Sequence, residues 1–442
     1  MKFPALALPA LVLSGACRPA PIADILAIVD PDIATVVHVT WTTPTETVGH
    51  VEFGTSDGYG YTSPTETTSS TDHKATLYGL TADTECHFMV VADDATSEDQ
   101  TITTDPMPGD VPTFDETMPV SDPDVAPLLL TTTTDLTDAD HSWILLLTPA
   151  GQVVWYMQAD GVAVSARPMG DGSGVYFISE NPKDAEANRL VLAKYDGRVQ
   201  EITIPHSHHD AIEGPDGGWV TLVTTFQDLD GVVGGDQVVE VAEDGTERVV
   251  WDAFDNLPVI ENDGWTVGTL EDAADWTHAN GLFYDPDDDT YVVSFYFTQQ
   301  VVKIDRLTGE TRWILGGVGS DFTFTRGAEF GPQHAPELGP DGGVRVFDNR
   351  TAGYGSRLTE YALDTDAGTA TLTWSWDYPG TLWTPVLGDV HRFEDGGALG
   401  TWGITGNIVV VSPEGVLDGE LQVAGSVTVG QVDVIPSMYG SE

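Results

Sequence analysis

Apolar and polar residues alternate at every second position along much of this chain, and no stretch competes with the spacing of an amphipathic helix. Period-two alternation marks strands with one face in a core and the other in water. Between residues 23 and 105, Val37, Val39 and Trp41 form one inward face. Val51 and Phe53 form another before Gly54-Thr55-Ser56, so this stretch reads as a small β-sandwich. Residues 106–125, opening Pro106-Met107-Pro108-Gly109-Asp110, are rich in Pro and Asp and read as a linker.

From about residue 126 a two-part unit recurs. One part is a strand, a tight turn and a strand, as in Ile144–Trp155 and Val301–Trp313, with further copies near Leu190, Gln237, Arg357 and Asn407. Their spacing averages roughly 53 residues. The second part is another hairpin, near Ala166, His209, His278, His334 and Val390. The first kind occurs six times and the second five, and Gly425–Val434 supplies the missing member. The last strands then complete the sheet begun near residue 126. An all-β chain with that count is predicted to be a six-bladed β-propeller over 126–442, closed by its own two ends.

Charge narrows the partners. Against 70 Asp and Glu stand 17 Lys and Arg, a formal net charge of −53. Nucleic acid and anionic membrane surfaces would be repelled, and an anionic substrate would need local compensation from Arg or His. Residues 1–17 open with Met1-Lys2, continue with an apolar run from Phe3 to Leu13, and end Ser14-Gly15-Ala16-Cys17. That is the form of a secretory signal, and it resembles a bacterial lipoprotein signal in which Cys17 becomes the lipidated first residue. The expectation is an exported protein, periplasmic or at the outer membrane or cell surface, attached to membrane only through Cys17. Cys86 is the other cysteine, so no internal disulfide framework is expected.

Three segments place histidines at the starts of second-type hairpins: His208-His209-Asp210, His278-Ala279-Asn280 and Gln333-His334. His209 and His334 stand equally far before a Pro-Asp-Gly-Gly turn, whereas aligning His208-x-Asp210 on His278-x-Asn280 favours His208. Rotation about a propeller axis would bring these imidazoles together at the centre, where they could act as nucleophile and acid or base. His391 lies closer to its turn and out of register. The run His206–Asp210 could hold a transition metal, but no cysteine strengthens that reading and no metal is assigned. Asp285–Asp289 lacks a full calcium loop and reads as a solvated turn.

Several of these motifs, in order over residues 126–442, resemble the PAPS-independent arylsulfotransferase family. They are His208-His209-Asp210, His278-x-Asn280, Val301–Glu310 followed by Trp313–Gly317, Gln333-His334, Phe347-Asp348-Asn349, Ser356-Arg357, Gly388-Asp389-Val390 and Gly400–Gly403. The resemblance implies a six-bladed propeller that moves a sulfuryl group from a phenolic sulfate ester to a phenol through a sulfo-histidine, with no cofactor or nucleotide donor. It implies that His334 is the nucleophile, with His278 and either His208 or His209 assisting. Asn280, Arg357 and the residue at 296 would meet the substrate. In this family that last position is usually arginine; here it is Tyr296. A phenol offers one neutral donor where a guanidinium offers a fork, so the substitution weakens the case for catalysis. The alternative is a non-catalytic propeller binding a ligand or partner in its channel. Residues 23–105 resemble a fibronectin type III domain, with Leu80 leading into the corner and Cys86 standing where the corner tyrosine usually lies.

Overall fold

The computed structural model describes residues 22–121, 127–135, 138–264 and 273–439. The signal segment and Cys17 lie outside them. Contacts divide the chain into two units: one comprises the chain up to Val29 with Val37–Leu77 and Thr84–Thr104, the other Asp30–Val36, Tyr78–Asp83 and everything from Asp105 onward.

The smaller unit has two antiparallel sheets. Val37–Thr47 pairs with Ala23–Val29 on one side and Ser70–Leu77 on the other; the second sheet centres on Gly49–Gly54 and Glu85–Ala92. Val37, Val39, Trp41, Val51 and Phe53 are all buried, as their alternation required. Cys86 is buried too, and burial pushes its thiol pKa up to about 11, which makes it a small apolar core residue and a poor nucleophile.

Among its described residues the larger unit contains six sheets, each with its strands in the same inner-to-outer order. Blade 1 runs Val427–Ile435, Leu128–Asp135, Asp138–Leu147, Val153–Asp160. Blade 2 runs Arg167–Pro168, Gly174–Ser179, Arg189–Lys194, Val199–Thr203. Blade 3 runs Ser207–Glu213, Trp219–Asp228, Val232–Val241, Glu247–Asp252, and blade 4 runs Ala279–Asp285, Thr290–Phe295, Gln300–Asp305, Thr311–Leu315. Blade 5 runs Gln333–Leu338, Val344–Asp348, Arg357–Asp364, Thr369–Asp377, and blade 6 runs Asp389–Arg392, Ala398–Trp402, Asn407–Val411, Leu417–Val423. The inner strands of blades 3, 4, 5 and 6 touch in succession, Gly174–Ser179 of blade 2 touches the inner strand of blade 3, and Val427–Ile435 touches both Arg167–Pro168 and Asp389–Arg392. The ring is therefore a closed six-bladed propeller. Its closure is the antiparallel pairing of Leu128–Asp135 with Val427–Ile435, from Leu128 opposite Ile435 to Asp135 opposite Val427, with one register shift between Thr131 and Thr133.

Large aromatic side chains fill the spaces between blades. Trp251 and Phe295 lie 5.5 Å apart between ring centroids, and Phe347 and Trp402 lie 5.2 Å apart; all four are buried. Burying one such ring removes on the order of 200 Å² from water, about 5 kcal/mol before entropy is counted.

The linker expected over 106–125 is in part a strand. Phe114–Met118 pairs antiparallel with Leu417–Val423 and covers the outer edge of blade 6. A strand edge left open is a site for unwanted pairing, and covering it is a sufficient physical reason for the chain to adopt strand geometry here. The acidic turn Asp285–Asp289 is tied down by cations: Lys303 pairs with Asp285 at 2.7 Å and Asp288 at 2.8 Å, and Arg306 with Asp289 at 2.6 Å.

Candidate active site

The inner strands of blades 3, 4 and 5 share an irregularity near their first residues. Their pairing slips between His208 and Ala211, between Ala279 and Gly281, and between His334 and Glu337. At or beside each slip a non-glycine residue has positive φ: His209 at 58°, His278 at 53° and Ala335 at 50°. Bulges of this kind re-aim side chains at sheet rims, and left-handed backbone at such residues is sparsely populated. Gly281 is required by a neighbouring blade, because a Cβ there would stand 2.5 Å from Cδ of Pro336.

The result is a line of touching rings. His208 and His209 are 5.1 Å apart between centroids, His209 and His278 4.9 Å, His278 and Tyr296 5.9 Å, and Tyr296 and His334 5.4 Å. Cross-strand register pairs the positions differently from turn spacing: His208 faces Leu222 as His334 faces Phe347, so His208 is the register counterpart of His334. Counting back from the turn favoured His209 because the blade 3 bulge holds an additional residue.

Hydrogen bonds give each imidazole a different character. His208 Nε2 lies 3.0 Å from Asp236 Oδ1, and its Nδ1 lies 3.0 Å from Nδ1 of His209. Burial disfavours the His208 cation, but the Asp236 carboxylate outweighs it and raises the pKa above its usual 6.5. Asp236 also accepts from the Ala279 N–H at 2.6 Å and the Thr277 hydroxyl at 2.7 Å; these bonds and His208 keep it ionised against the penalty of burial. His278 donates from Nδ1 to Asp275 at 2.6 Å, and that carboxylate likewise raises its pKa against burial. The carboxylate that faces the His209 ring, Glu180, stands 3.8 Å from its Nδ1, beyond hydrogen-bond distance. Burial, and then His278, His208 and His334, push its pKa well below the ordinary value.

His334 is held at both nitrogens. The Leu387 N–H donates to its Nε2 at 3.1 Å, so Nδ1 carries the hydrogen and donates to Asn349 Oδ1 at 2.7 Å. Asn349 in turn donates to the carbonyls of Thr384 and Leu387, which fixes its amide orientation. Burial lowers the His334 pKa to about 3.

The remaining expected contact residues have structural partners. Asn280 donates to the Gln333 carbonyl at 2.7 Å and accepts from Ser294, clamping blade 4 to the residue preceding His334. Tyr296 donates its hydroxyl to the Pro385 carbonyl at 2.6 Å. Arg357 is buried against Asp348 at 2.8 Å and the Glu329 carbonyl at 3.0 Å, which ties it to its own blade. His391 faces Glu337 at 3.5 Å and stands apart from the line of rings.

Residues that spacing did not single out complete the centre. Asp236 and Asp275 stand behind His208 and His278. Arg167 forks onto Asp210 with bonds of 2.9 and 2.8 Å, and Asp210 accepts from the Leu282 N–H, joining blades 2, 3 and 4. Glu180 accepts from the His209 N–H at 2.8 Å. A cavity of about 390 Å³ opens onto His206, His208, His209 and His278, with Phe226 and Lys183 in its walls. Among the described residues, no cluster of three or more His, Cys, Asp or Glu is arranged to hold a metal.

A family model described as Arylsulfotransferase (ASST) matches residues 83–416. Among solved structures, a virginiamycin B lyase from Staphylococcus aureus is 12% identical, the match covering 73% of this chain and 100% of that one at a TM-score of 0.40. A streptogramin B lyase is 15% identical over 71% of this chain and 87% of its own, TM-score 0.40. A calcium-binding regucalcin from Agrobacterium tumefaciens is 11% identical over 60% and 75%, TM-score 0.38. No curated protein matches the chain.

Proposed function

Because the chain belongs to the arylsulfotransferase family, we propose that it moves a sulfuryl group from a phenolic sulfate ester to a phenolic acceptor through a sulfo-histidine, acting outside the cytoplasm as a lipoprotein anchored at Cys17. The observation that carries the reading is the line of imidazoles with opposed basicity. His209 is held neutral while His278, one ring away, is made a better base and hence a proton carrier by Asp275.

Sulfuryl transfer, like phosphoryl transfer, spreads charge over equatorial oxygens, so positioning and donors do most of the work. A neutral imidazole attacks sulfur, and a protonated neighbour supplies the departing phenolate with its proton. No nucleotide or metal enters this scheme. The protein's net charge of −53 makes the local histidines important for admitting an anionic ester.

One observation favours a second reading, a non-catalytic propeller that binds a ligand in its channel. Tyr296 gives its hydroxyl hydrogen to Pro385, so the position where the family usually has a guanidinium presents no free donor. Purified protein mixed with a chromogenic aryl sulfate and a phenol decides between them. Acceptor-dependent release of the chromophore, with sulfated acceptor formed, supports transfer. No release over a broad set of esters supports the binding reading.

A further inference from the structure

We propose that the outer rim of blades 1 and 2 carries a binding site for a monovalent organic cation, an alkyl- or arylammonium ion, seated against Trp143, Trp155 and Tyr156 and drawn in by the carboxylates of Asp32 and Asp110. The site stands apart from the histidine channel, and the inference does not depend on the sulfotransferase reading.

The cavity forms where three pieces of chain meet. Trp143 lies on the third strand of blade 1, Trp155 and Tyr156 on its outermost strand, and Val199 on the outermost strand of blade 2. Two turns that precede the propeller in sequence complete the walls. In the first, Asp30 accepts from the N–H groups of Asp32 at 2.9 Å and Ile33 at 3.0 Å. The same turn is fastened to blade 1, because the Ala34 N–H donates to the Tyr156 hydroxyl at 2.9 Å and the Thr35 hydroxyl donates to the Val154 carbonyl at 2.7 Å. In the second, the Val111 N–H closes onto the Pro108 carbonyl at 3.2 Å and presents Asp110. All of these residues belong to the larger unit. The volume, about 320 Å³, is at the small end of the range for ligand pockets.

Ring surface is what the walls present. Trp143 and Tyr156 meet edge-on, 6.1 Å apart between centroids, and Trp155 meets Tyr195 in the same way at 5.5 Å. The Trp155 indole N–H is engaged by the Tyr195 carbonyl at 3.1 Å, and the Tyr156 oxygen by Ala34. With those polar atoms occupied, a ligand meets π faces, which are electron-rich and attract cations.

Charge selects the sign. Asp32 and Asp110 are exposed, and neither has an ion-pair partner among the described residues. Burial raises the Tyr156 pKa, and the negative field of Asp30, Asp110 and Asp105 adds to it, so the potential at the wall is negative. Among the described residues Lys194 is the one cation lining the cavity, and its ammonium is held by the Ser173 hydroxyl at 2.7 Å and Asp171 at 3.6 Å. A metal ion would need several oxygen ligands at fixed distances, which two exposed carboxylates do not supply. An alkylammonium ion instead packs its apolar substituents on the rings while keeping its charge within reach of both carboxylates. An anion is repelled by the rim and by the protein's net charge of −53.

Calorimetric titration of the full protein with phenyltrimethylammonium tests this, with benzenesulfonate and benzyl alcohol as the anionic and neutral ring controls. The expected result is saturable 1:1 binding of the cation, no binding of the sulfonate, and binding of the alcohol at least about 10-fold weaker. Trp143→Leu should weaken the cation about 10-fold. The double variant Asp32→Asn, Asp110→Asn should weaken it about 3-fold at low salt and less at high salt, with unchanged melting because both side chains are exposed. Fluorine NMR of protein labelled with fluorotryptophan gives a readout that does not rely on the Leu variant folding. The Trp143 resonance, identified by its absence in Trp143→Phe, should shift as the cation is added. Equal affinity for the alcohol would make this a merely apolar cavity and overturn the proposal. Binding that leaves the Trp143 resonance in place, or that survives the variants undiminished, would be diffuse attraction to an acidic surface and would overturn it too, as would the absence of saturable binding.

Discussion

The backbone N–H of Leu387, in the loop before blade 6, donates to Nε2 of His334 in blade 5 at 3.1 Å. The bond ties a buried imidazole to a neighbouring blade and sets its tautomer, and Asn349 completes the arrangement from the other side. Burial penalises the charged ring more than the Asn349 hydrogen bond favours it, and its pKa falls to about 3.

That depression has a measurable consequence. The folded state holds His334 neutral down to about pH 3, while the unfolded chain protonates it near the ordinary 6.5. Between those values the unfolded state binds more protons, so stability contributed through this group falls as pH is lowered. The difference amounts to a few kcal/mol at most, on the order of 1.4 kcal/mol per pH unit. Denaturant unfolding of wild type and His334→Gln at pH 7 and pH 4 checks this. The gap between the two proteins should narrow or reverse at pH 4, since glutamine does not titrate.

Asp275→Asn should leave the fold intact and shift the alkaline limb of phenol release toward lower pH. The carboxylate is what raises His278 against the effect of burial. Without it the proton carrier loses its proton at lower pH, and the variant should fail first on the alkaline side. A pH–kcat profile in which that limb stays in place would show that His278 is not the acid.

Asp210→Ala strikes the joint between blades 2, 3 and 4. It removes both bonds from Arg167 and the acceptor for the Leu282 N–H, leaving a half-buried cation without its carboxylate. The expected loss is about 3–5 kcal/mol, read as a lower midpoint in urea. A loss below about 1 kcal/mol would mean the pair behaves as a surface contact.

The architecture was legible in the sequence because it rests on counting. Six hairpins of one kind against five of the other required the C-terminal strand to enter the first blade, and Val427–Ile435 does so. The histidines were legible for the same reason, each standing at the start of a repeat. Their partners were not. Asp236 lies one strand beyond the neighbour of His208, within Gly234-Gly235-Asp236, where nothing in the spacing distinguishes it from many other aspartates in this acidic chain. Asp275 and Arg167 are likewise ordinary in sequence and become informative only when the ring sets one blade against the next. The alignment of His208 rather than His209 with His334 turns on a bulge, and an additional bulged residue defeats any argument made from turn spacing. Phe114–Met118 was concealed by the Pro and Asp around it, because its strand geometry is imposed by the edge it covers.

Removing the chain from Val427 onward should unfold the propeller as a whole, since it strips blade 1 of its inner strand and leaves Leu128–Asp135 as an open edge. Circular dichroism melting of the truncated protein should show a much lower and broader transition. Unchanged melting would contradict closure of the ring.

The most direct measurement of the central claim follows both products in one reaction containing purified protein, an aryl sulfate donor and a phenol acceptor. The account predicts one sulfated acceptor for each donor phenol released, little free inorganic sulfate, and a rate that depends on acceptor concentration. Release of inorganic sulfate without sulfated acceptor would make the protein a hydrolase, and no release of phenol would leave the histidine channel a binding site.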